Sequence, residues 1–138
     1  MFISEKNKKE LLKKLIFYIG ITAFIALFGI IYEQFSHNVN SLHMWFAWAW
    51  VLGFGVVSYL ILYLLPIKYV PGLITESVYN FGVAMLTTRS IFIGVIEIYG
   101  TTHEKMILVY SILSIIFIVV GVVMYITFLL IKRITSQE

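Results

Sequence analysis

Cysteine and aspartate are both absent from this chain of 138 residues, and charged residues make up only 12% of it. The absence of cysteine excludes thiol catalysis, disulfide exchange, Cys-ligated metals and thioether-linked haem. The chain also lacks the H-E-x-x-H, G-x-S-x-G and phosphate-loop motifs of many hydrolases and nucleotide-binding enzymes. We therefore expect a protein without enzymatic activity.

Apolar residues dominate the composition. Hydrophobic side chains account for 61% of the chain, and the mean hydropathy is +0.97. A water-soluble domain of this size could not bury so much apolar surface, so lipid must be the solvent for most of it. A hydrocarbon layer of about 30 Å needs about 20 helical residues per crossing. Four apolar stretches have about that length, at residues 15–34, 42–65, 75–99 and 106–131.

These stretches predict an all-α integral membrane protein, an antiparallel four-helix bundle formed by residues 15–131. The connections between them are short, so sequential helices should be antiparallel neighbours. Residues 1–14 are expected to form a basic amphipathic N-terminal segment, and residues 132–138 a short cytoplasmic tail.

Basic residues predict the orientation of the bundle, because Lys and Arg in short loops are retained on the cytoplasmic side. Eight of them lie before the first stretch, between the second and third, or after the fourth, whereas Lys105 lies in a connection on the other side. Both termini are therefore expected in the cytoplasm. Lysines that face anionic lipid account for the net charge of +3, without a nucleic-acid partner.

The third stretch is rich in polar residues. Small and polar side chains recur on one helical face in two heptad series, which are Asn80, Thr87 and Gly94, and Val83, Ser90 and Glu97. Small residues let helices approach closely in lipid, so this face should point inward. It can serve as a packing surface within or between subunits, or it can line a solute path.

Arg89 lies near the middle of the third stretch, where a charge costs at least about 2.5 kcal/mol. At about 100° per residue it falls off the face of Ser90 and Glu97, so it should face a neighbouring helix, a second subunit or a water-filled crevice. Glu97 is roughly 12 Å further along the axis, too far for an easy ion pair within the helix. Arg89 is a binding candidate because charges inside a membrane are expensive to retain.

A second group of candidate residues lies at the predicted outer ends of the helices. It contains Glu33, Glu97 and all three histidines, His37, His43 and His103. A carboxylate beside an imidazole can bind a metal, orient a proton acceptor or pair at the lipid headgroups. A metal or haem site at these histidines therefore stays open beside a purely interfacial role.

Two short segments resemble a family of small four-span membrane proteins of Gram-positive bacteria. They are IYEQFSHNV at residues 31–39 and EIYGTT at residues 97–102. The resemblance covers the layout of nearly the whole chain, and it implies a bacterial plasma membrane and the same four-helix plan. The family has no assigned activity, and it does not lead us to expect a charge at Arg89.

Three functions agree with these features. The first is a non-enzymatic accessory or assembly subunit that packs through its polar and small helix faces, as a homo-oligomer or on a larger membrane protein. The second is a small transporter or channel with a polar path along the third helix that includes Arg89. The third is a metal- or haem-handling protein that uses the outer Glu and His groups.

Overall fold

The structure is a computed structural model that describes residues 5–35, 39–65, 70–100 and 104–135. The elements are α1 (Glu5–Gln34), α2 (Leu42–Trp45), α3 (Ala47–Trp50), a π-helix (Val51–Val56), α4 (Val57–Leu64), α5 (Leu73–Tyr99) and α6 (Glu104–Thr135). Four helical segments are long and apolar enough to cross a membrane, namely α1, the run from α3 to α4, α5 and α6. The prediction of an all-helical chain with four apolar helices is confirmed. The run from α2 to α4 is called the second span below.

Helix α1 is longer than the first apolar stretch. It begins at Glu5 and continues without a break through the basic N-terminal segment. Leu11 of that segment is buried in a core cluster with Tyr18, Val51 and Tyr59. The segment therefore packs with the rest of α1 against the second span, because its apolar position continues the buried face of the helix.

The second span is not one regular helix, although residues 42–65 were predicted as a single stretch. Phe46 separates α2 from α3, and the following π-helix has hydrogen bonds that reach five residues back, as from the Val57 N–H to the Leu52 carbonyl. Gly55 of this π-helix lies against α1, where an added Cβ would be 2.3 Å from the Tyr18 ring. Only glycine allows the Tyr18 ring to sit at this position.

Helix α5 is central to the packing. It contacts α6 extensively and also contacts α2, α3 and the π-helix. Among the described elements, the backbone of α1 comes close only to those of the second span. Within the described parts of the chain, α6 packs on α5 alone. The helices therefore pack in the order α1, second span, α5, α6. One cleft remains between α1 and α5, and another remains between α4 and α6.

Glycines set the close contacts of α5 on two sides. A Cβ at Gly82 would lie 2.8 Å from the backbone nitrogen of Ile118 and 2.9 Å from the carbonyl oxygen of Ser114, both on α6. Toward the second span, a Cβ at Gly94 would lie 3.0 Å from the backbone nitrogen of Met44. Such close approach supplies the van der Waals contact that holds helices together in lipid.

Replacing these glycines should separate the helices. Gly82→Ala and Gly94→Ala are each expected to lower the free energy of unfolding by about 1–3 kcal/mol, because the obstructing atoms are backbone and cannot rotate away. Gly20→Ala is the matched control, since nothing lies within 4 Å of a Cβ added there. Unfolding titrations in mixed detergent micelles measure all three, and equal midpoints would contradict the expectation.

Candidate functional site

The polar face of α5 is largely buried. Thr87 and Ser90 are 5% and 1% exposed, Asn80 is partly buried, and Glu97 is exposed near the end of the helix. The Ser90 hydroxyl donates a hydrogen bond of 2.8 Å to the His43 carbonyl of the second span. The buried part of this face is therefore covered by the chain itself, and it is not an open surface for a second protein.

A polar network that joins three helices surrounds Glu76 of α5. The Nζ atom of Lys14, on α1, forms an ion pair with Oε2 of Glu76. The Tyr59 hydroxyl, on α4, donates to Oε1 of Glu76 at 2.8 Å and lies 3.3 Å from Oδ1 of Asn80. The ring of Tyr18 stacks on that of Tyr59, with centroids 5.1 Å apart. These five residues are called the Glu76 network.

Helix geometry places the members of the network at two successive levels. Lys14 and Tyr18 lie one turn apart on α1, and Glu76 and Asn80 lie one turn apart on α5. The predicted site included Asn80 and missed Glu76, Lys14 and Tyr59. The available signal was a lysine and a glutamate near the predicted inner membrane face, but no pattern within one helix shows that they meet.

The network satisfies a carboxylate that is mostly withdrawn from solvent. The Glu76 side chain is 13% exposed and that of Lys14 is 33% exposed. An ionised carboxylate in such a place is costly unless a counter-charge and hydrogen-bond donors occupy its oxygens. Lys14 and Tyr59 supply both. Lys14 connects α1 to α5, whose described backbones do not approach each other, and Tyr59 connects α4 to α5.

A cavity of about 360 Å³ lies between α4, α5 and α6, and it is called the α4–α6 cavity. Its apolar wall includes Ile61 and Leu62 of α4 and Val122 of α6, while Glu76 and Tyr79 lie on the α5 side. Because α4 and α6 do not approach each other, the cavity opens between them.

A second cavity, of about 250 Å³, lies on the other side of the second span, between α1, the π-helix and α5. Tyr18, Asn80 and Thr87 are among the residues that line it. Tyr59 lines the α4–α6 cavity and hydrogen-bonds Asn80. The Glu76 network therefore separates the two cavities.

Two predicted site residues, Asn80 and Thr87, both line the second cavity. Arg89 lines neither of these two cavities.

Arg89 lies between α5 and α6, beside Phe92 of α5 and Met106 and Tyr110 of α6. Its Nε atom is buried and has no hydrogen-bond partner among the residues that the structure describes. Neither the Lys14–Glu76 ion pair nor the contact of His43 with Glu97 includes Arg89. This nitrogen therefore lies beside apolar and aromatic side chains, whereas Arg89 as a whole is only partly buried.

The helix ends that are predicted to face outward bring together part of the predicted Glu and His group. Oε1 of Glu97 lies 2.9 Å from Nδ1 of His43, and Oε2 of Glu97 accepts a hydrogen bond from the Ser41 hydroxyl. Oε1 of Glu33 accepts a hydrogen bond of 3.3 Å from the Ser41 backbone N–H. Ser41 also caps α2, where its hydroxyl accepts from the Met44 N–H. These contacts fasten the start of the second span to α1 and α5.

Two of the predicted metal ligands, His37 and His103, lie outside the described residues. Within the part of the chain that is described, no three His, Cys, Asp or Glu side chains are grouped to hold a metal ion. His43 pairs with Glu97, at an exposed position. A metal or haem site at the three histidines stays a prediction.

Comparisons with protein-family models, curated proteins and solved structures found no match for this chain. The resemblance to the four-span family of Gram-positive bacteria stays a prediction.

The Glu76 network predicts energetic coupling between α1 and α5. Lys14→Met or Glu76→Gln alone should lower the free energy of unfolding by about 1–3 kcal/mol, because each change leaves one charge without its partner. This loss is smaller than that of a fully buried pair because Lys14 is partly exposed. The double variant should lose less than the sum of the single losses. Lys13→Met, at the exposed neighbouring position, is the control. Additive losses in detergent unfolding titrations would show that the two residues are not coupled.

Proposed function

We propose that this chain is a non-enzymatic accessory or assembly subunit that docks a helix of a larger membrane protein at Arg89. Its four apolar helices support a membrane setting. The observation that carries the docking proposal is Arg89, a cation that is only partly buried and whose enclosed Nε atom has no hydrogen-bond partner among the described residues. A guanidinium carries donors only, so inside a bilayer it needs an acceptor from a neighbour, a lipid or water.

The depth of Arg89 favours an acceptor within the bilayer. Helix α5 has 27 residues, and Arg89 precedes its last residue, Tyr99, by ten. Ten residues correspond to about 15 Å along the helix axis. An arginine head can snorkel toward the headgroups, but the Nε atom here stays enclosed beside Phe92 and Tyr110. A carboxylate on a partner helix at the same depth would supply the charge and the acceptors that the described residues do not offer to the Nε atom.

A second copy of this chain is a poorer source of that carboxylate. Glu97 and Glu76 lie about 12 Å and about 20 Å from Arg89 along α5. Copies inserted in the same orientation keep these offsets, so the charges do not meet at one depth. Both carboxylates also accept hydrogen bonds within their own chain. We therefore favour a different membrane protein with an Asp or Glu in a spanning helix over a homo-oligomer.

A synthetic partner tests the docking directly. A leucine-rich transmembrane peptide with one Glu at the depth of Arg89 should associate with the full chain in lipid vesicles, as measured by energy transfer between labels. Arg89→Leu should weaken this association about tenfold, because polar contacts between membrane helices contribute about 1–2 kcal/mol. A control peptide with Leu in place of Glu should bind the parent protein weakly. Its affinity should equal that of the Arg89→Leu variant for the Glu peptide.

Three controls separate docking from folding. Thr88→Leu, at the exposed adjacent position, should leave peptide association unchanged. Arg89→Leu should keep or raise the unfolding midpoint, since it removes an insertion cost of at least about 2.5 kcal/mol.

The Glu104 side chain lies outside the described set. If Arg89→Leu destabilises the protein and Glu104→Gln in the same chain relieves the loss, the arginine pairs within the chain and docking is overturned. Equal binding of the Leu and Glu peptides would also overturn it.

We further propose an antiparallel bundle in a plasma membrane with both termini in the cytoplasm. Eight of the nine basic residues outside α5 support this orientation. Topology reporters fused after Glu138 or within residues 66–74 should report the cytoplasm, and a fusion within residues 100–105 should report the outside. Strong external reporter activity from the fusion after Glu138 would contradict the orientation.

A further inference from the structure

The α4–α6 cavity opens between two of the apolar helices that are long enough to help span a membrane. Its volume of about 360 Å³ falls near the lower end of the range of small-molecule pockets, roughly 300–1,000 Å³. Helix α5 forms its floor, and α4 and α6 form walls that do not approach each other. A molecule that enters from the membrane therefore reaches the cavity without passing through water.

The chemistry of the walls suits a hydrocarbon chain. Ile61, Leu62 and Val122 are apolar, and the hydroxyls of Ser58, Tyr59 and Tyr79 that line the cavity with them are hydrogen-bonded within the protein. The Tyr79 hydroxyl, for example, donates to the Phe54 carbonyl at 2.8 Å and lies 2.6 Å from the Ser58 hydroxyl. A ligand that needs hydrogen bonds would find these three hydroxyls already used, whereas an acyl chain needs none and gains dispersion contacts with the walls.

Positive charge lies where a lipid in this cavity would place its headgroup. Lys132 follows Val122 by ten residues on α6, which corresponds to about 15 Å, or half of a hydrocarbon layer about 30 Å thick. Lys132 is also seven residues after Tyr125, a cavity residue, so the two share one face of the helix. Lys132 and the adjacent Arg133 are both exposed.

We propose that the α4–α6 cavity binds one acyl chain of an anionic phospholipid, whose headgroup is held at Lys132 and Arg133. The lipid comes from the leaflet on the side where α6 ends. This site does not depend on docking at Arg89, because Arg89 lies near the start of α6, beside Met106 and Tyr110. Each of the two proposals can therefore fail without the other.

Native mass spectrometry of the full chain, purified in mild detergent and supplied with equal amounts of phosphatidylglycerol and phosphatidylcholine, tests the site. The parent protein should retain one phosphatidylglycerol in clear preference to phosphatidylcholine. Lys132→Gln with Arg133→Gln should reduce that preference by about fivefold for each charge removed. Lys105→Gln, at the other end of α6, should leave it unchanged. Equal retention of the two lipids by the parent would overturn an anionic ligand.

Variants of the cavity wall test the acyl-chain site. Val122→Trp and Ile61→Trp should each reduce retained lipid at least about tenfold, since an indole fills the space of a chain in a pocket of this size. Val122 and Ile61 are 42% and 49% exposed, so the larger side chain can be accommodated without forcing the helices apart. Val123→Trp and Leu60→Trp are the matched controls, because these exposed neighbours do not line the cavity. If each cavity-wall variant retains as much lipid as its matched control, the cavity is not the lipid site.

Discussion

Glu76 of α5 is held by groups from two other helices, and the position of α1 depends on that contact. A carboxylate in a membrane-spanning helix requires a counter-charge and donors, which Lys14 and Tyr59 provide. Among the described helices, the α1 backbone approaches the second span and not α5, so α1 reaches α5 through side chains such as Lys14. The same contact closes one end of the cleft between α1 and α5, and it separates the cavities on the two sides of the second span.

Different interactions hold α5 to its two neighbours, the second span and α6, and Arg89 lies on the side of α5 that faces α6. Toward the second span, α5 uses hydrogen bonds, such as those of Glu76 and Ser90, beside the close approach at Gly94. Toward α6 it relies mainly on shape, through the backbone contact at Gly82. Arg89 lies on this second side, where its described neighbours offer the Nε atom no acceptor.

Features that depend on one helix could be predicted from the sequence, and features that depend on two could not. A seven-residue period is a property of a single helix, so it indicated the buried positions of Thr87 and Ser90. The ion pair of Lys14 with Glu76 joins residues that are 62 positions apart, which no local pattern reports. The π-helix was missed for a similar reason, because its Gly55 is explained by the Tyr18 ring of another helix.

Helix α6 has one extensive packing partner among the described helices, which is α5. The two proposed ligands would both act on it. An acyl chain in the α4–α6 cavity would brace α6 against α4, which it does not otherwise approach, and a partner helix at Arg89 would contact α6 near its other end. Two ligands that favour the same position of one helix each raise the affinity for the other, because coupling between sites is reciprocal. Lipid composition would then influence partner docking without any direct contact between lipid and partner, and the two sites would be coupled through the angle of α6 on the glycine contact at Gly82.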